Sequence, residues 1–286
     1  MGKEVHEISS TPDAPDWIYR VKRLVPAALW SLLSRPYWWW YNRASHRLAM
    51  VVDIRRKRSV ERIRRYKNLH RGERCFVLGN GPSLRETDLS LLARETTFGL
   101  NRIYLNFPKM GFETTYYVAV NTLVVEQCAE DILSLQMPRF ISWRGRKWLA
   151  RQGDIIYIDT DYTDPAMFAK DATGRIYEGS TVTYVALQLA YYMGFSEVIL
   201  VGVDHSFVTQ GDPNVTVRSR GEDLDHFSKD YFGEGFRWQL PDLDASEHAY
   251  RLAKAAFDAD GRKIVDATIG GQLQVFKKVP YHSLFQ

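Results

Sequence analysis

The chain has 286 residues, of which 45% are hydrophobic and 25% charged. That is enough for one large domain or two small ones, and the mix excludes collagen-like, disordered and coiled-coil classes. The formal charge of +4 is unevenly placed: residues 17–74 hold 16 Lys+Arg against 3 Asp+Glu, a net of +13, which leaves −9 on the rest. A basic segment joined to an acidic body points to a polyanionic contact for that segment.

Residues 1–16 are polar, contain Asp13, Pro15 and Asp16, and read as a flexible tail rather than a secretory signal. From Trp17 to about Asn68 the pattern is helical, punctuated by Pro26 and Pro36. Five of the eight tryptophans fall here (Trp17, Trp30, Trp38, Trp39 and Trp40), interleaved with Arg and Lys. Aromatic rings favour the membrane–water boundary and basic residues favour anionic headgroups. An anionic membrane surface is therefore the first expected partner of residues 17–68. An arm packing on the body or on a second subunit, giving a homo-oligomer, is the alternative, and a nucleic-acid arm ranks third. The run Arg55-Arg56-Lys57-Arg58 with Arg62, Arg64 and Arg65 reads as a solvated helix face. The longest apolar stretch, Leu24 to Leu33, is interrupted by Pro26 and Ser31, so no spanning helix of ~20 apolar residues is expected. Cys75 and Cys128 make neither a disulfide framework nor a metal cluster, which suits a reducing compartment. A cytoplasmic protein at the inner face of the membrane is the resulting expectation.

At Arg74 the grammar changes. Cys75-Phe76-Val77-Leu78 suits a buried parallel strand, closed by the turn Gly79-Asn80-Gly81-Pro82-Ser83-Leu84. A short helix is predicted at Asp88–Leu92. Further strands are predicted at Thr97–Asn101, Thr115–Val120, Arg139–Trp143 and Ile155–Ile158, and a helix at Leu123–Leu135. Ser180 and Thr181 are good N-caps for a helix from Val182 to Met193, and Gly194 stands where a C-cap glycine belongs. Val198–Val201 is a buried strand ending in Gly202-Val203-Asp204. A long polar stretch follows, roughly 205–240; a loop of that length in a compact domain is usually functional. Ser246–Asp258 reads as a helix and Lys263–Asp266 as a last strand. Helices alternating with fully apolar strands argue for an α/β, Rossmann-like, mostly parallel sheet covered on both faces. The expected organisation is a tail at 1–16, a basic amphipathic helical arm at 17–73, and a catalytic domain at 74–286.

In such sheets ligands bind beyond the carboxyl ends of the strands. The loop at Gly79, Asn80, Gly81 and Ser83 could turn backbone N–H groups toward an anion. It is neither a Walker A loop nor the dinucleotide G-x-G-x-x-G, and a plain turn remains open. Asn101 and Asn121 offer both donor and acceptor for hydroxyls or phosphate oxygens; each could equally be a turn residue or a cap. Gly179, Ser180 and Thr181 could hold a phosphate at a helix start, or simply cap it. Asp204 could bind a ribose hydroxyl, Mg²⁺ or a substrate amine. His205, His226 and His248 are candidate general bases. His226, within Asp225-His226-Phe227-Ser228-Lys229-Asp230-Tyr231 of the long loop, is the best of them. No spacing indicates zinc.

Together, Val77–Leu84, Asn101, Asn121, Gly179-Ser180-Thr181 and Gly194–Asp204 resemble the 6-hydroxymethylpterin diphosphokinase MptE-like family, also known as the domain of unknown function 115. The resemblance covers about 74–280 and leaves the arm outside. The same order is similar to bacterial sialyltransferases that use CMP-sialic acid. That second resemblance implies that Asn80, Ser83, Asn101, Asn121, Ser180 and Thr181 line a nucleotide. It also implies a histidine base and tyrosines on the leaving phosphate, for which this chain has His226 and Tyr231 at a spacing that does not match. The expectation is a nucleotide-dependent transferase, a glycosyltransferase using a CMP-type sugar without a required cofactor, in surface-glycan synthesis. The family resemblance implies as the alternative a diphosphokinase needing Mg²⁺ and ATP, with Asp204 and Asp161, Asp164 or Asp212 as ligands. A non-catalytic nucleotide-binding scaffold is a third reading.

Overall fold

A computed structural model describes residues 52–149, 155–162, 167–209 and 211–286. The tail at 1–16 and the five arm tryptophans lie outside the described residues, as does the apolar stretch Leu24–Leu33. Among the described residues nine strands form one sheet in which every pairing is parallel. They are β1 (Arg74–Leu78), β2 (Thr97–Leu100), β3 (Tyr116–Ala119), β4 (Arg139–Ser142), β5 (Ile155–Asp161), β6 (Arg175–Tyr177), β7 (Glu197–Val201), β10 (Lys263–Asp266) and β11 (Lys277–Lys278). Their order is β11-β10-β7-β1-β2-β3-β4-β5-β6. The fold is the expected α/β Rossmann-like one. The chain starts mid-sheet at β1, steps outward to β6, then crosses back to β7 on the other side of β1. The reversal opens a crevice at the carboxyl ends of β1 and β7, where α/β sheets bind ligands.

Side chains alternate across the sheet, as the two-residue strand period requires. Cys75, Val77, Phe98, Leu100, Val118, Val198 and Leu200 share one core with helix Val182–Met193 and with Ala249, Tyr250, Ala253 and Phe257 of helix Leu243–Ala259. Phe76, Leu78, Tyr117, Ala119, Ile199 and Val201 share the other with Leu84, Leu92, Ile103 and Val125. Burial on both faces is why these strands read as unbroken apolar runs. Both cysteines are free and buried.

The helix after β6 begins and ends as its sequence dictates. Thr181 caps it by accepting from the Thr183 N–H, and Gly194 ends it at φ 96° with its N–H on Ala190 and Tyr191 carbonyls. The single helix predicted at Leu123–Leu135 is instead two, Thr122–Gln127 and Ala129–Ser134, with Cys128 at φ −117° and ψ 25° between them. The stretch 205–240, expected as a polar loop, contains an antiparallel hairpin, β8 (Thr216–Arg218) with β9 (Arg237–Gln239). Aromatic rings hold it together: Phe232 stacks on Phe236 and on Trp238.

The described end of the basic arm is a helix, Ile54–Arg64, which we label α1; the other described α-helices are α2 (Phe107–Met110), α3 (Thr122–Gln127), α4 (Ala129–Ser134), α5 (Val182–Met193) and α6 (Leu243–Ala259). Lys57, Arg58, Arg64 and Arg65 are exposed, but Arg56 is buried, which corrects the expectation of a wholly solvated basic face. Its Nη1 donates to the Tyr157 carbonyl at 2.5 Å, and Ser59 Oγ accepts from the Tyr157 N–H at 3.0 Å. Two side chains one helical turn apart thus satisfy both backbone groups of one β5 residue. Beyond the helix, His70 stacks on Phe195 and bonds Tyr116 Oη at 2.7 Å. Residues 54–73 therefore pack on the sheet. Among the described residues no helix is long and apolar enough to cross a membrane. Arg56→Met should lower the unfolding free energy by about 2–4 kcal/mol, because it strands buried carbonyls that accept from a charged donor. Urea unfolding followed by circular dichroism measures this.

Candidate functional site

At the switch point the first and seventh strands run into each other's loops. The Gly79 N–H donates to the Val201 carbonyl at 2.8 Å and the Gly81 N–H to that of Gly202 at 2.9 Å. A side chain at Gly79 would stand 2.2 Å from the Gly202 oxygen, and one at Gly81 would stand 1.8 Å from Asp204 Oδ2. The glycines are there for close approach. Ser83 donates to Asp204 twice, from its N–H at 3.0 Å and its Oγ at 2.7 Å. The loop and the carboxylate therefore meet directly. This corrects one expectation: the N–H groups of Gly79, Gly81 and Ser83 all have protein acceptors, so they form no open anion cradle. Burial pushes the Asp204 carboxyl up, the Ser83 bonds oppose that, and nearby Asp266 adds to the rise.

Above this junction lies a cleft of about 890 Å³. Gly79, Asn80, Gly81, Asn101, Asn121, Ser180, Thr181, Asp204 and His226 all line it. Ser83, Gly179 and Tyr231 do not; Ser83 is buried beneath Asp204. The three asparagines differ in what they leave available. Asn121 caps α3, its Oδ1 accepting from Leu123 and Val124 N–H groups, and its Nδ2 donates to Gln239. Asn80 Nδ2 donates to the Leu100 carbonyl at 3.1 Å, but its Oδ1 is buried with no partner. Asn101 Oδ1 is also buried without a partner. An unmet buried acceptor asks for a donor, and a ligand hydroxyl or exocyclic amine would supply one. Asn101, Ser180, His205 and Asn214 all have positive φ (48°, 59°, 55° and 65°) and all line the cleft. Left-handed backbone at residues other than glycine is costly, and it gathers at functional sites.

The stretch after β7 folds over the cleft as a lid. Arg85 Nη2 donates to the His226 carbonyl at 2.6 Å and its Nε to that of Phe227 at 3.1 Å. The Phe227 N–H donates to the Asn80 carbonyl. Arg102 donates to the carbonyls of Asp230 and Tyr231. Within the lid, His226 Nδ1 sits 2.9 Å from Asp223 Oδ2, and the ring lies flat on Tyr231 at 4.0 Å. Burial raises the Asp223 carboxyl, but the His226 bond and charge and the N–H groups of Asp225 and Phe232 bring it below its usual value. With Nδ1 held by a carboxylate, Nε2 is the nitrogen able to exchange a proton. Tyr231 is placed otherwise than the resemblance implied: it is 1% exposed, and its hydroxyl accepts from the Arg102 N–H. His205 lines the cleft, with its basicity lowered by burial. His248 is exposed on α6, away from the cleft lining.

The carboxylates expected for Mg²⁺ have other surroundings. Asp204 holds Ser83, Asp161 pairs with Arg175 at 3.0 Å, Asp212 is exposed, and Asp164 lies outside the described residues. Among the described residues no three His, Cys, Asp or Glu side chains cluster for a metal. Sequence reading missed Asp223, although its i,i+3 spacing to His226 was a usable cue. It also missed Arg144 and Glu178, which are joined only by the fold. Asp204→Asn should cost about 1–2 kcal/mol of stability, because one amide oxygen replaces a carboxylate that serves two donors. Thermal unfolding of the variant against wild type measures it.

A search of the curated proteins finds no match. Among solved structures, the MAf glycosyltransferase from Magnetospirillum magneticum AMB-1 is similar, with 15% identity and a TM-score of 0.47. The likeness covers 80% of this chain and 39% of that one, so this chain spans well under half of that protein's length. The sequence profile of the family described as 6-hydroxymethylpterin diphosphokinase MptE-like matches residues 46–210, beginning inside the basic arm. That match takes in more than half of the sequence, and the chain belongs to the MptE-like family.

Proposed function

We propose that this protein is a nucleotide-dependent transferase, and within that class a glycosyltransferase that uses a nucleotide-activated, CMP-type sugar in surface-glycan synthesis. The observation that carries the reading is the Asp223–His226 pair, with His226 lining the same cleft as Asn80, Asn101, Ser180 and Thr181. Ribose hydroxyls or a base amine donate to Asn80 Oδ1 and Asn101 Oδ1. The phosphate lies toward the start of α5 at Ser180 and Thr181, where the helix dipole favours negative charge. His226 Nε2 takes the proton of the acceptor hydroxyl as that oxygen bonds to the anomeric carbon. The bond from that carbon to the phosphate oxygen breaks, and the nucleotide leaves with the electron pair. Asp223 keeps the ring oriented and stabilises the imidazolium. Charge growing on the leaving phosphate is met by the helix start. No metal is required in this reading.

The family name is the ground for a second reading, transfer of diphosphate from Mg²⁺-ATP to a pterin-like alcohol, with the same base on the alcohol. Mg²⁺ would there neutralise the phosphates. The basic aromatic arm at 17–68 holds the enzyme at the inner membrane face, and liposomes rich in anionic lipid should pellet the full chain but not a chain lacking residues 1–51.

Thermal-shift measurements separate the readings, since a ligand of the folded state raises the midpoint. CMP should raise it with or without EDTA. A rise seen only with ATP and Mg²⁺ would favour the diphosphokinase instead, and no response to any nucleotide would overturn the nucleotide reading altogether. Once a donor is known, His226→Ala should lower kcat by about 10²–10⁴-fold with little change in nucleotide affinity. Unchanged turnover would move the base to His205.

A further inference from the structure

The cleft is electrostatically one-sided. Arg144 is the one Lys or Arg lining it among the described residues, whereas Glu178, Asp204, Asp225 and Asp242 supply negative charge. The carboxylates near β7 and the lid have set duties. Asp204 holds Ser83, Asp225 accepts from Val208 and Thr209, and Asp242 caps α6 through the Ala245 N–H. Over β1 and β2 the unmet atoms are acceptors, Asn80 Oδ1 and Asn101 Oδ1. None of these groups welcomes an anion.

The other end of the cleft differs. Arg144 follows β4, Tyr162 follows β5 and Glu178 follows β6. With neighbouring strands ~4.8 Å apart, β4 stands roughly 19 Å along the sheet from β7. Arg144 Nη2 donates to Glu178 Oε1 at 2.5 Å, and the guanidinium lies over the Tyr162 ring at 4.7 Å. The Arg144 and Glu178 side chains are each 12% exposed, whereas Tyr162 is 54% exposed. Glu178 leads within three residues to Thr181, the cap of α5. A largely buried ion pair adds little stability over apolar packing. Here it keeps a guanidinium oriented, on an aromatic face, at the wall of a cavity that has no other Lys or Arg among the described residues. A guanidinium suits anionic oxygens because its N–H groups match two of them at once.

We propose that Arg144 is the anion-recognition residue of this cleft, and that the ligand's acidic group, a phosphate or a carboxylate, sits at the β4–β6 corner. Glu178 is its counter-charge and competes with the arriving anion. The inference rests on the cleft being the ligand site of the proposed transferase, but not on the ligand being a nucleotide.

The test is a thermal-shift titration of the full chain with inorganic phosphate, glucuronate, CMP and cytidine, on wild type, Arg144→Met and Glu178→Gln. Wild type should be stabilised by at least one simple anion, phosphate or glucuronate, and which one tells the source of the acidic group. Arg144→Met should weaken that anion's apparent affinity about tenfold or more, and Glu178→Gln should strengthen it. A structural role for the pair would lower both midpoints and leave anion affinity alone. If Arg144→Met does not fold, Glu178→Gln decides, since it keeps the guanidinium and must still tighten the anion. No response of wild type to either anion, or equal anion affinity in wild type and Glu178→Gln, overturns the proposal. If CMP binds no better than phosphate and cytidine not at all, the nucleotide reading fails while the Arg144 assignment stands.

Discussion

The contact on which the site depends is the one between Ser83 and the Asp204 carboxylate. It joins the loop after β1 to the end of β7, the two strands between which the chain reverses direction across the sheet. Two glycines permit it, since a side chain at either position would stand inside the opposing loop. The carboxylate is held at a cost, because burial works against its charge, and both Ser83 donors offset that cost. Closing the crevice floor in this way uses the N–H groups of Gly79, Gly81 and Ser83. The pocket is left with amide oxygens below and a helix start to the side.

Much of the sheet was legible because a parallel strand buried on both faces is a continuous apolar run. Cys75–Leu78 and Val198–Val201 could hardly be anything else, and the polar residues that end them had to lie on one edge. Other elements carried no such mark. Arg-Ile-Tyr at β6 and Lys-Lys at β11 are strands only because a neighbour offers its free edge. The β8–β9 hairpin is stabilised by rings spread over a polar segment, so period and propensity are silent about it. Burial of Arg56 left no trace in a run of basic residues, since the carbonyl it serves lies 101 residues away.

The candidate site divided in the same way. Residues fixed by chain topology, such as Asn80, Asn101, Asn121 and Asp204, were readable from strand ends. Their individual duties were not, because these depend on which hydrogen-bonding groups the surrounding backbone leaves unmet. Asn121 and Asn101 look alike in sequence, yet one caps a helix while the other keeps a buried oxygen without a donor. Arg144 and Glu178 are 34 residues apart, on the far side of two strands, and only the fold makes them a pair.

Floor and lid are not independent parts. Asn101 sits in a left-handed conformation at the end of β2, and the next residue, Arg102, reaches into the lid. Its N–H and guanidinium hold the hydroxyl of Tyr231 and the carbonyls beside it, and Tyr231 is the ring on which His226 lies. Arg85 does the same from the loop after β1, gripping the carbonyls of His226 and Phe227. The lid is thus held chiefly through its main chain, at points set by the two strands whose ends also carry the unmet amide oxygens. A shift of the β2 end would move Asn101 and the imidazole together, so their separation is a property of the sheet edge rather than of the lid's own sequence.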